Sequence, residues 1–336
     1  MNKRRIVTYD GGFGYVKAGD GETTILHPAF ITPGVPIPGA GRVTAVTIGK
    51  QAYLVGETAR KQSGVVLESS LKATEHTSPE RRLLAIASLA LLAGGPGAHT
   101  FHVAAGLPLI HMEQEEALKA MLNGIKEVQV SVINDRDKYT CTITVQDSWV
   151  YPQGLGVIFD YCLNHNGIPH HTITFPDGVT VKGQRSISGE KLLELDLLVL
   201  DIGFNTALFY ALSDMEPMTN FCLGSNRGMA WVYQRIGQAV LHGVDPWGVQ
   251  DRIRKKELAP EQYTWAYAQV ADQLSKQFVN MRHNFDLVLV GGGGGAALFE
   301  YLLPEVRNKV LVAEPQESNA RGYLKAGRQR WQQVVG

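Results

Sequence analysis

The chain has 336 residues, of which 44% are hydrophobic and 19% are charged, enough to bury a sizeable core. Lys and Arg total 32 residues and Asp and Glu total 32, so there is no basic field that would attract nucleic acid directly. The cysteines Cys141, Cys162 and Cys222 lack CxxC spacing, which argues against a disulfide framework or a thiolate metal site and favours a reducing, cytoplasmic location.

Apolar runs that end near glycine recur along the chain and predict strands. They are IVTYDGG at Ile6, FHVAAGLP at Phe101, LLVLDIG at Leu197 and DLVLVGGGGG at Asp286. Helical periodicity is present between them in EEALKAMLNGIKEV, MAWVYQRIGQAVLH and YTWAYAQVADQLSKQFVNMRHN. Strands that alternate with helices predict an α/β architecture.

The remaining segments predict ordinary structural roles and no membrane partner. The run LLAIASLALLAGG from Leu83 is shorter than the roughly 18 residues that cross a bilayer, and it predicts a buried helix that ends at Gly94 and Gly95. The basic start precedes an apolar run that is too short for a signal-peptide core. KYTCTITVQDSWV predicts a half-exposed strand, HPAFITPGVPIPGAG a surface excursion, and NHNGIPHHTITFPDG a loop or hairpin tip.

One pattern occurs twice in the chain. IVTYDGGFGYVKAGDGE and LLVLDIGFNTALFYALSD each place Asp-x-Gly-Phe at the end of an apolar strand, followed by a second strand-like run. The corresponding residues are Asp10 and Asp201, Gly12 and Gly203, and Phe13 and Phe204. A repeat at this separation predicts two similarly folded domains, each with one strand–turn–strand loop.

Such a loop has the chemistry of a phosphate site. Glycine lets backbone N–H groups approach an anion closely, and Asp10 can hold Mg²⁺, directly or through water, which in turn binds phosphates. Lys17 on the outgoing strand can reach back to a phosphate, and Asn205 and Thr206 supply an amide and a hydroxyl in the second loop. A single DGG is also typical of a plain hairpin turn, but the copy at Asp201 favours two loops that clamp a polyphosphate.

The glycine run GGGGGAALFEYL has two interpretations. With Glu314 after the next apolar strand, it follows the order of a dinucleotide-binding fingerprint, although that interpretation leaves the Asp-Gly repeat unexplained. Its glycines can instead form a backbone platform for the adenosine of a nucleotide whose phosphates lie elsewhere. The sequence has no GxxxxGK[ST], which excludes a P-loop.

The order of these motifs resembles the actin, Hsp70 and sugar-kinase superfamily, with its phosphate-1, connecting, phosphate-2 and adenosine segments. The matching motifs are Asp10-x-Gly12 with Lys17, AGLP ending at Pro108, PQG at Pro152, Asp201-x-Gly203-x-x-Thr206, and VGGGGG at Val290. Within the superfamily, four details resemble the bacterial plasmid-segregation actins of the ParM/StbA type. These are the DxGxxxxK form of the first loop, GLP after a strand, LGSNRGM at Leu223 and SNARGYLKAG at Ser318.

The resemblance implies an α/β, actin-like (ribonuclease H-like duplicated) fold, with two domains around a nucleotide cleft that holds ATP or ADP and Mg²⁺. Domain I would comprise residues 1–150 plus 315–336, and domain II residues 151–314. Asp10 would hold Mg²⁺, possibly through water, and Asp201 would orient metal-bound or attacking water. Phosphates would be held by Gly11, Gly12, Phe13 and Lys17 in the first loop and by Gly203, Asn205 and Thr206 in the second, with adenosine over Gly291, Gly292 and Gly293.

One position departs from the ParM pattern. ParM has a catalytic Glu after the proline of the connecting segment, whereas this chain has Gln153, as actin does. A neutral glutamine can position water but is a poor proton acceptor, so we expect Gln153 to support slow hydrolysis.

The resemblance implies an ATPase that forms filaments of its own subunits and segregates plasmid or other DNA through an adaptor protein of the ParR type. A non-polymerising nucleotide switch or scaffold is one alternative. A small-molecule kinase of the same superfamily is another, although 336 residues leave little room for an acceptor-binding insertion. A dinucleotide oxidoreductase would rest on the glycine run and Glu314.

Several polar residues favour plain structural roles. His165, His170 and His171 lack acidic or cysteine companions, which favours loop residues over metal ligands. The cations that could contact a base, Arg227, Lys255 and Lys256, are more typical of solvated surface charges. Glu57 is interpreted as a helix cap or a subunit contact, and GRQRWQQVV as a segment packed on the first domain.

Overall fold

The computed structural model describes residues 5–37, 43–62, 76–135, 137–176 and 183–332. Within these residues the chain forms two compact units. Unit 1 covers the chain up to Pro152, together with His165–Ile168 and the residues from Ala320 onward. Unit 2 covers Gln153–Asn164 and Pro169–Asn319. None of the described helices is long and apolar enough to span a membrane.

Unit 1 is built on one mixed sheet. Its strands are β1 (Arg5–Gly11), β2 (Tyr15–Gly19), β3 (Thr24–Pro28), β4 (Ile31–Pro33), β5 (Thr44–Ile48), β6 (Gln51–Val55), β7 (Gly97–Leu107), β8 (Val128–Asn134) and β9 (Lys138–Pro152). Their order in the described sheet is β3-β2-β1-β7-β9-β8-β5-β6-β4. β1 is antiparallel to β2 and parallel to β7, which is parallel to β9. β1 is thus an interior strand of the sheet, flanked by β2 and β7, with the repeated aspartate Asp10 near its end.

The helices of unit 1 are α1 (Glu57–Gln62), α2 (Pro79–Ala93), α3 (Glu115–Asn123) and α10 (Ser318–Gln332), whose first two residues belong to unit 2. α2 starts at Ser78, whose hydroxyl accepts a hydrogen bond from the backbone N–H of Arg81, and it ends at Gly94 with φ 71°. Leu84, Ile86 and Leu89 of α2 are fully buried, so the predicted buried helix is confirmed.

Other predictions about unit 1 are confirmed in part. Burial alternates along the start of β9, where Cys141, Ile143 and Val145 face the core, as the half-exposed pattern predicts. Glu57 begins α1 and forms ion pairs with Arg60 and Lys61, which hold its pKa below the ordinary value. The predicted excursion from residue 27 includes the end of β3 and all of β4, and its residues 38–41 lie outside the described ranges.

The C-terminal helix packs on unit 1. Trp331 is 6% exposed and contacts the cluster formed by Ala104 and Tyr323, and its indole N–H donates to Asp147 Oδ2 over 3.0 Å. The guanidinium of Arg330 lies over the ring of Trp149. The prediction that this segment packs on the first domain is therefore confirmed for its described residues.

Unit 2 contains a second mixed sheet. Its strands are β12 (Leu197–Ile202), β13 (Ala207–Ser213), β14 (Glu216–Pro217), β15 (Leu223–Ser225), β16 (Leu287–Gly291) and β17 (Lys309–Leu311). The order is β14-β13-β12-β16-β17, with β15 also paired to β13. β12 is antiparallel to β13 and parallel to β16, which is parallel to β17. The central strands thus repeat the arrangement of β2, β1, β7 and β9 in unit 1.

Helices cover this sheet and a small hairpin lies beside it. The helices are α4 (Leu155–Cys162), α5 (Gly189–Leu193), α6 (Met229–Val240), α7 (Pro246–Arg254), α8 (Thr264–Asn280) and α9 (Gly295–Leu298), and the hairpin strands are β10 (Ile173–Pro176) and β11 (Gln184–Ile187). The segment NHNGIPHHTITFPDG, residues 164–178, predicted to be a loop or hairpin tip, instead contains strand β10 from Ile173, because Ile173 and Phe175 alternate into the interior. Its residues 177 and 178 lie outside the described ranges. Arg227, Lys255 and Lys256 are exposed, as predicted.

Candidate functional site

The repeated sequence forms two hairpins of equal loop length. In unit 1 the last paired residues are Gly11 and Val16, and in unit 2 they are Ile202 and Ala207. We call the intervening segments loop 1 (residues 12–15) and loop 2 (residues 203–206). Cross-strand pairing places Asp10 opposite Lys17 and Asp201 opposite Leu208. The two aspartates therefore occupy the same place in two copies of one hairpin, but only the first faces a cation across the strands.

Asp10 is a buried carboxylate with one oxygen available to a ligand. Its side chain is 3% exposed, and Oδ2 accepts a hydrogen bond from Lys17 Nζ over 2.8 Å. Oδ1 is buried and has no hydrogen-bond partner within the described residues. An uncompensated carboxylate oxygen is costly in the interior, so Oδ1 is suited to a cation or a water. This geometry fits the predicted Mg²⁺ site, because Mg²⁺ is commonly held by one or two carboxylates together with phosphates and water.

The ammonium of Lys17 lies close to the backbone of loop 1 at Gly12. A Cβ on Gly12 would sit 3.4 Å from Lys17 Nζ and only 2.5 Å from the carbonyl oxygen of Tyr15, so a side chain at Gly12 would displace the loop. The ammonium is therefore beside both the Asp10 carboxylate and the backbone of loop 1. From this place it can balance the charge of Asp10 and bind an anion at the loop.

Arg81 binds the backbone carbonyls of loop 1. This role was not predicted from the sequence. Its guanidinium is buried, donates to the carbonyl oxygens of Gly11 and Gly12 over 3.1 Å each, and lies 4.5 Å from the ring centre of Phe13. Because C=O and N–H point in opposite directions across a trans peptide, the N–H groups of Gly12 and Phe13 point away from Arg81. Arg81 therefore binds the carbonyls of loop 1 and leaves these two N–H groups on the side away from it, where they can donate to an anion.

His76 completes the packing around Phe13. Its ring centre lies 5.0 Å from that of Phe13 and 5.2 Å from that of His111. Burial, reinforced by the positive charge of Arg81 and by His111, lowers the pKa of His76 to about 3. His76 is therefore a neutral aromatic support at neutral pH.

Acidification should destabilise the protein through His76. The pKa of His76 is depressed in the fold, so the unfolded chain, with its ordinary value of 6.5, takes up the proton first as the pH falls. The stabilisation is complete above pH 6.5 and is lost progressively down to about pH 3. Between pH 7 and 5 the free energy of unfolding should fall by about 2 kcal/mol more in the wild type than in His76→Gln, measured by urea unfolding. Equal losses in both proteins would contradict this assignment.

Loop 2 is oriented by a helix instead of an arginine. The backbone N–H groups of Gly228, Met229 and Ala230, at the start of α6, donate to the carbonyls of Asn205, Gly203 and Phe204 respectively. A Cβ on Gly228 would lie 2.5 Å from the carbonyl oxygen of Phe204, which explains the glycine in LGSNRGM. The carbonyls of loop 2 are thus bound by α6, as those of loop 1 are bound by Arg81, and the N–H groups that follow them point away.

Asp201 is held on both sides of its carboxylate. It is 9% exposed, and Oδ2 accepts a hydrogen bond from Asn319 Nδ2 over 2.8 Å. Oδ1 approaches the backbone of the glycine run so closely that a Cβ on Gly292, which has φ +78°, would lie 2.3 Å away. The glycine run therefore has a role beside its predicted one, since Gly292 makes room for the aspartate of loop 2.

Gly292→Ala should destabilise unit 2 through this contact. Gly243 is the matched control, because it lies in the same unit and also has a positive φ, +98°. A Cβ on Gly243 would have no atom within 4 Å. Gly243→Ala incurs backbone strain alone, whereas Gly292→Ala adds clashes with Asp201 Oδ1 and with the carbonyl oxygen of Ile202, 2.4 Å from the new Cβ, and should cost about 2 kcal/mol more. Urea unfolding of the two variants measures the difference. Equal destabilisation would show that both close contacts relax without cost.

The backbone of the glycine run is hydrogen-bonded to two other segments of unit 2. Gly292 N–H donates to the carbonyl of Pro315 over 2.8 Å, and Gly294 N–H donates to the carbonyl of Ile202 over 2.7 Å. A Cβ on Gly293 would make only ordinary contacts, with Gln316, whereas a Cβ on Gly291 would lie 3.0 Å from Val157. The helix that follows, α9, has four residues. A dinucleotide fingerprint needs glycines that open a longer helix, so the geometry favours the platform interpretation.

Gln153 lies in the turn between β9 and α4. The next residue, Gly154, has φ +92°, and a Cβ there would lie 2.5 Å from Cβ of Tyr210 on β13. Its N–H donates to Asn319 Oδ1 over 3.1 Å. The chain is thus fixed immediately after Gln153 by contacts that only glycine allows.

Among the solved structures that match the chain, three examples are similar to it over nearly its whole length. The apo psk41 ParM protein is 19% identical, with a TM-score of 0.71, and the match covers 99% of this chain and 99% of that one. A 15-stranded ParM filament from Clostridium botulinum is 20% identical, with a TM-score of 0.69, covering 98% of this chain and 100% of that one. The archaeal actin homologue Ta0583 in complex with ADP is 17% identical, with a TM-score of 0.66, covering 97% and 99%. The chain has an actin-like fold.

Sequence comparison agrees with this likeness for the first part of the chain. Residues 9–156 match the family model described as the N-terminal domain of actin-like proteins. No curated protein sequence matches the chain significantly. The predicted actin-like α/β fold and the predicted resemblance to ParM-type proteins are therefore confirmed.

The actin-like chain brings its predicted site residues together in two groups. In unit 1 these are Asp10, Gly11, Gly12, Phe13 and Lys17. In unit 2 Asp201 contacts Gly292, and loop 2 carries Gly203, Asn205 and Thr206. Arg81 and Asn319 are the site-forming residues that sequence reasoning missed. An arginine in the first turn of an apolar helix was the available signal for Arg81, and the SNARGYLKAG motif was the signal for Asn319.

Proposed function

We propose that this actin-like protein binds ATP with Mg²⁺, hydrolyses it slowly and assembles into filaments that move DNA through an adaptor protein. The observation that carries the proposal is the buried Asp10 carboxylate, with one oxygen paired to Lys17 and the other without a partner in the described residues, beside a loop whose carbonyls are bound by Arg81. The solved ADP complex of Ta0583 and the ParM filament support nucleotide binding and self-association respectively.

Each residue of unit 1 has a defined task in this proposal. Asp10 Oδ1 binds the cation or one of its waters, and Lys17 and the N–H groups of Gly12 and Phe13 bind the β- and γ-phosphates, with Gly11 keeping the backbone close. When bound, Mg²⁺ supplies charge neutralisation on the phosphates. Arg81 keeps the loop carbonyls turned away from the anion.

In unit 2 the proposed tasks concern water and the rest of the nucleotide. Asp201 orients the attacking water, while Asn205 and Thr206 supply donors to the phosphates. Gly203, whose N–H donates to the carbonyl of Thr206, closes the turn and keeps the backbone close to the anion. Gly291, Gly292 and Gly293 leave room for adenosine. Gln153 positions the same water as a neutral amide, so hydrolysis rests on orientation and electrostatics and is slow. A slow step suits a protein whose assembly state depends on the bound nucleotide.

The balance of 32 basic and 32 acidic residues supports an adaptor of the ParR type over direct DNA contact. Filament contacts would be made between copies of this chain. We place the protein in the cytoplasm, in agreement with three cysteines that are free in the structure.

Light scattering with sedimentation tests the proposal directly. ATP with Mg²⁺ should give scattering and pelletable filaments above a critical concentration, whereas ADP with Mg²⁺ should give less of both. ATP binding without assembly at any concentration would favour a non-polymerising switch, or a kinase if a small-molecule acceptor is phosphorylated. Tight NAD binding without ATP binding would overturn the nucleotide assignment.

A further inference from the structure

Asn319 links two parts of the site through one buried amide. It is 6% exposed, and its Nδ2 donates to Asp201 Oδ2 over 2.8 Å while its Oδ1 accepts from the N–H of Gly154 over 3.1 Å. One side chain thus joins Asp201, near the end of β12, to Gly154, the residue that follows Gln153.

Only asparagine satisfies both partners at this length. The carboxylate of Asp201 needs a donor, and the Gly154 N–H needs an acceptor, so the two hydrogen bonds fix which way the amide faces. Aspartate at position 319 would keep the acceptor for Gly154 but would oppose the Asp201 carboxylate with a second negative charge. Alanine would remove both bonds and leave buried polar groups unpaired.

Asn319 also lies at a point where the chain passes from one unit to the other. Asn319 is the last residue of unit 2 before the chain continues into unit 1, and Gln153 is the first residue of unit 2 after the chain leaves unit 1. These two of the four passages between the units therefore lie at or next to the hydrogen bond between Gly154 and Asn319. Asp201 is held further by its contact with Gly292 on the opposite side.

We propose that Asn319 is a positioning residue for hydrolysis, which holds Asp201 and the backbone at Gln153 in one fixed arrangement. The effect of this link on hydrolysis rests on the proposed function, whereas the two hydrogen bonds that form the link are independent of it. Because the proposed phosphate contacts are made by other residues and not by Asn319, loss of the link should reduce turnover far more than binding.

Two substitutions separate the two hydrogen bonds, and a neighbour provides the control. Asn319→Ala removes both bonds, and Asn319→Asp removes only the donor to Asp201. Ser318→Ala removes the hydrogen bond from Ser318 Oγ to the carbonyl of Pro315 at the same helix start, without touching Asp201. Any general weakening of the start of α10 should appear equally in the Ser318 variant.

Amide hydrogen exchange in the full chain tests the link without nucleotide. Exchange at Gly154 should quicken by about tenfold or more in Asn319→Ala and stay near the wild-type rate in Asn319→Asp and Ser318→Ala. Unchanged exchange in Asn319→Ala would overturn the link, whatever the protein does with ATP.

Steady-state ATP hydrolysis tests the consequence. Both Asn319 variants should lose roughly tenfold or more in kcat, with ADP affinity within about threefold of wild type, and Ser318→Ala should keep its kcat. Equal losses of kcat and affinity, or equal effects in Ser318→Ala, would overturn the positioning role. A wild type that neither binds nor hydrolyses ATP would instead refute the proposed function, and the exchange result would still decide whether the link exists.

Discussion

Asp10→Asn should lower the affinity for ATP in the presence of Mg²⁺ by roughly 100-fold, equivalent to about 3 kcal/mol. The amide oxygen can keep the hydrogen bond from Lys17, which then turns the NH₂ group to the place where Oδ1 lies in the wild type. An NH₂ group cannot bind a cation, so the substitution preserves shape but removes the metal-binding oxygen. The loss should therefore depend on the metal.

Calorimetric titration with ATP, in excess Mg²⁺ and in excess EDTA, measures that dependence. The wild type should bind more tightly with Mg²⁺, and Asp10→Asn should bind with similar affinity in both. Lys17→Met is the matched comparison, because it removes the other half of the ion pair and leaves Asp10 free to bind the cation. It should weaken ATP binding with and without Mg²⁺ alike. An Asp10→Asn protein that retains the full effect of Mg²⁺ would refute the metal assignment.

Stability must be separated from binding in these variants. The Lys17 and Asp10 side chains are 15% and 3% exposed, so removing either partner leaves a buried charge without its counterion. The double variant Asp10→Asn with Lys17→Met removes both charges and should be more stable than Lys17→Met alone, as measured by thermal unfolding. Retained Mg²⁺ discrimination in the double variant would again contradict the role of Asp10.

The two hairpin loops could be predicted from the sequence because the pattern that specifies each of them is local. An apolar strand, an aspartate and a glycine specify a hairpin within about ten residues, and two copies of that pattern imply two copies of the fold. The structure adds the register, which places Asp10 opposite Lys17 but Asp201 opposite Leu208. The two copies of the repeat therefore hold their aspartates with different partners, a lysine ammonium for Asp10 and an asparagine amide for Asp201.

The partners that sequence reasoning missed come from distant parts of the chain. Arg81 reaches loop 1 across about 70 residues, and Asn319 reaches Asp201 across 118, so no local pattern links them. Both residues bind polar groups that would otherwise be buried without partners, which is a requirement of packing and not of any motif. The close approach of Gly292 to Asp201 likewise depends on tertiary structure, whereas the glycine itself was visible in the run.

Gln153→Ala should slow ATP hydrolysis by about 100-fold while leaving ADP affinity within about threefold of wild type. The turn that carries Gln153 is fixed by Gly154 and by Asn319, so truncating the side chain removes a water-positioning amide without releasing the backbone. Gln146, an exposed glutamine on β9, the strand that precedes this turn, provides the control, and Gln146→Ala should leave hydrolysis unchanged.

Gln153→Glu distinguishes orientation from proton transfer at the same position. A carboxylate of similar size can orient the water and also accept its proton, so this variant should hydrolyse ATP at least as fast as the wild type at neutral pH. Single-turnover hydrolysis, measured beside ADP binding, separates the chemical step from affinity and product release. If Gln153→Ala loses affinity as much as turnover, and Gln153→Glu behaves like Gln153→Ala, the residue serves the turn and not the water. If only turnover falls in the alanine variant and the glutamate variant is faster than wild type, the neutral amide is what makes hydrolysis slow in this chain.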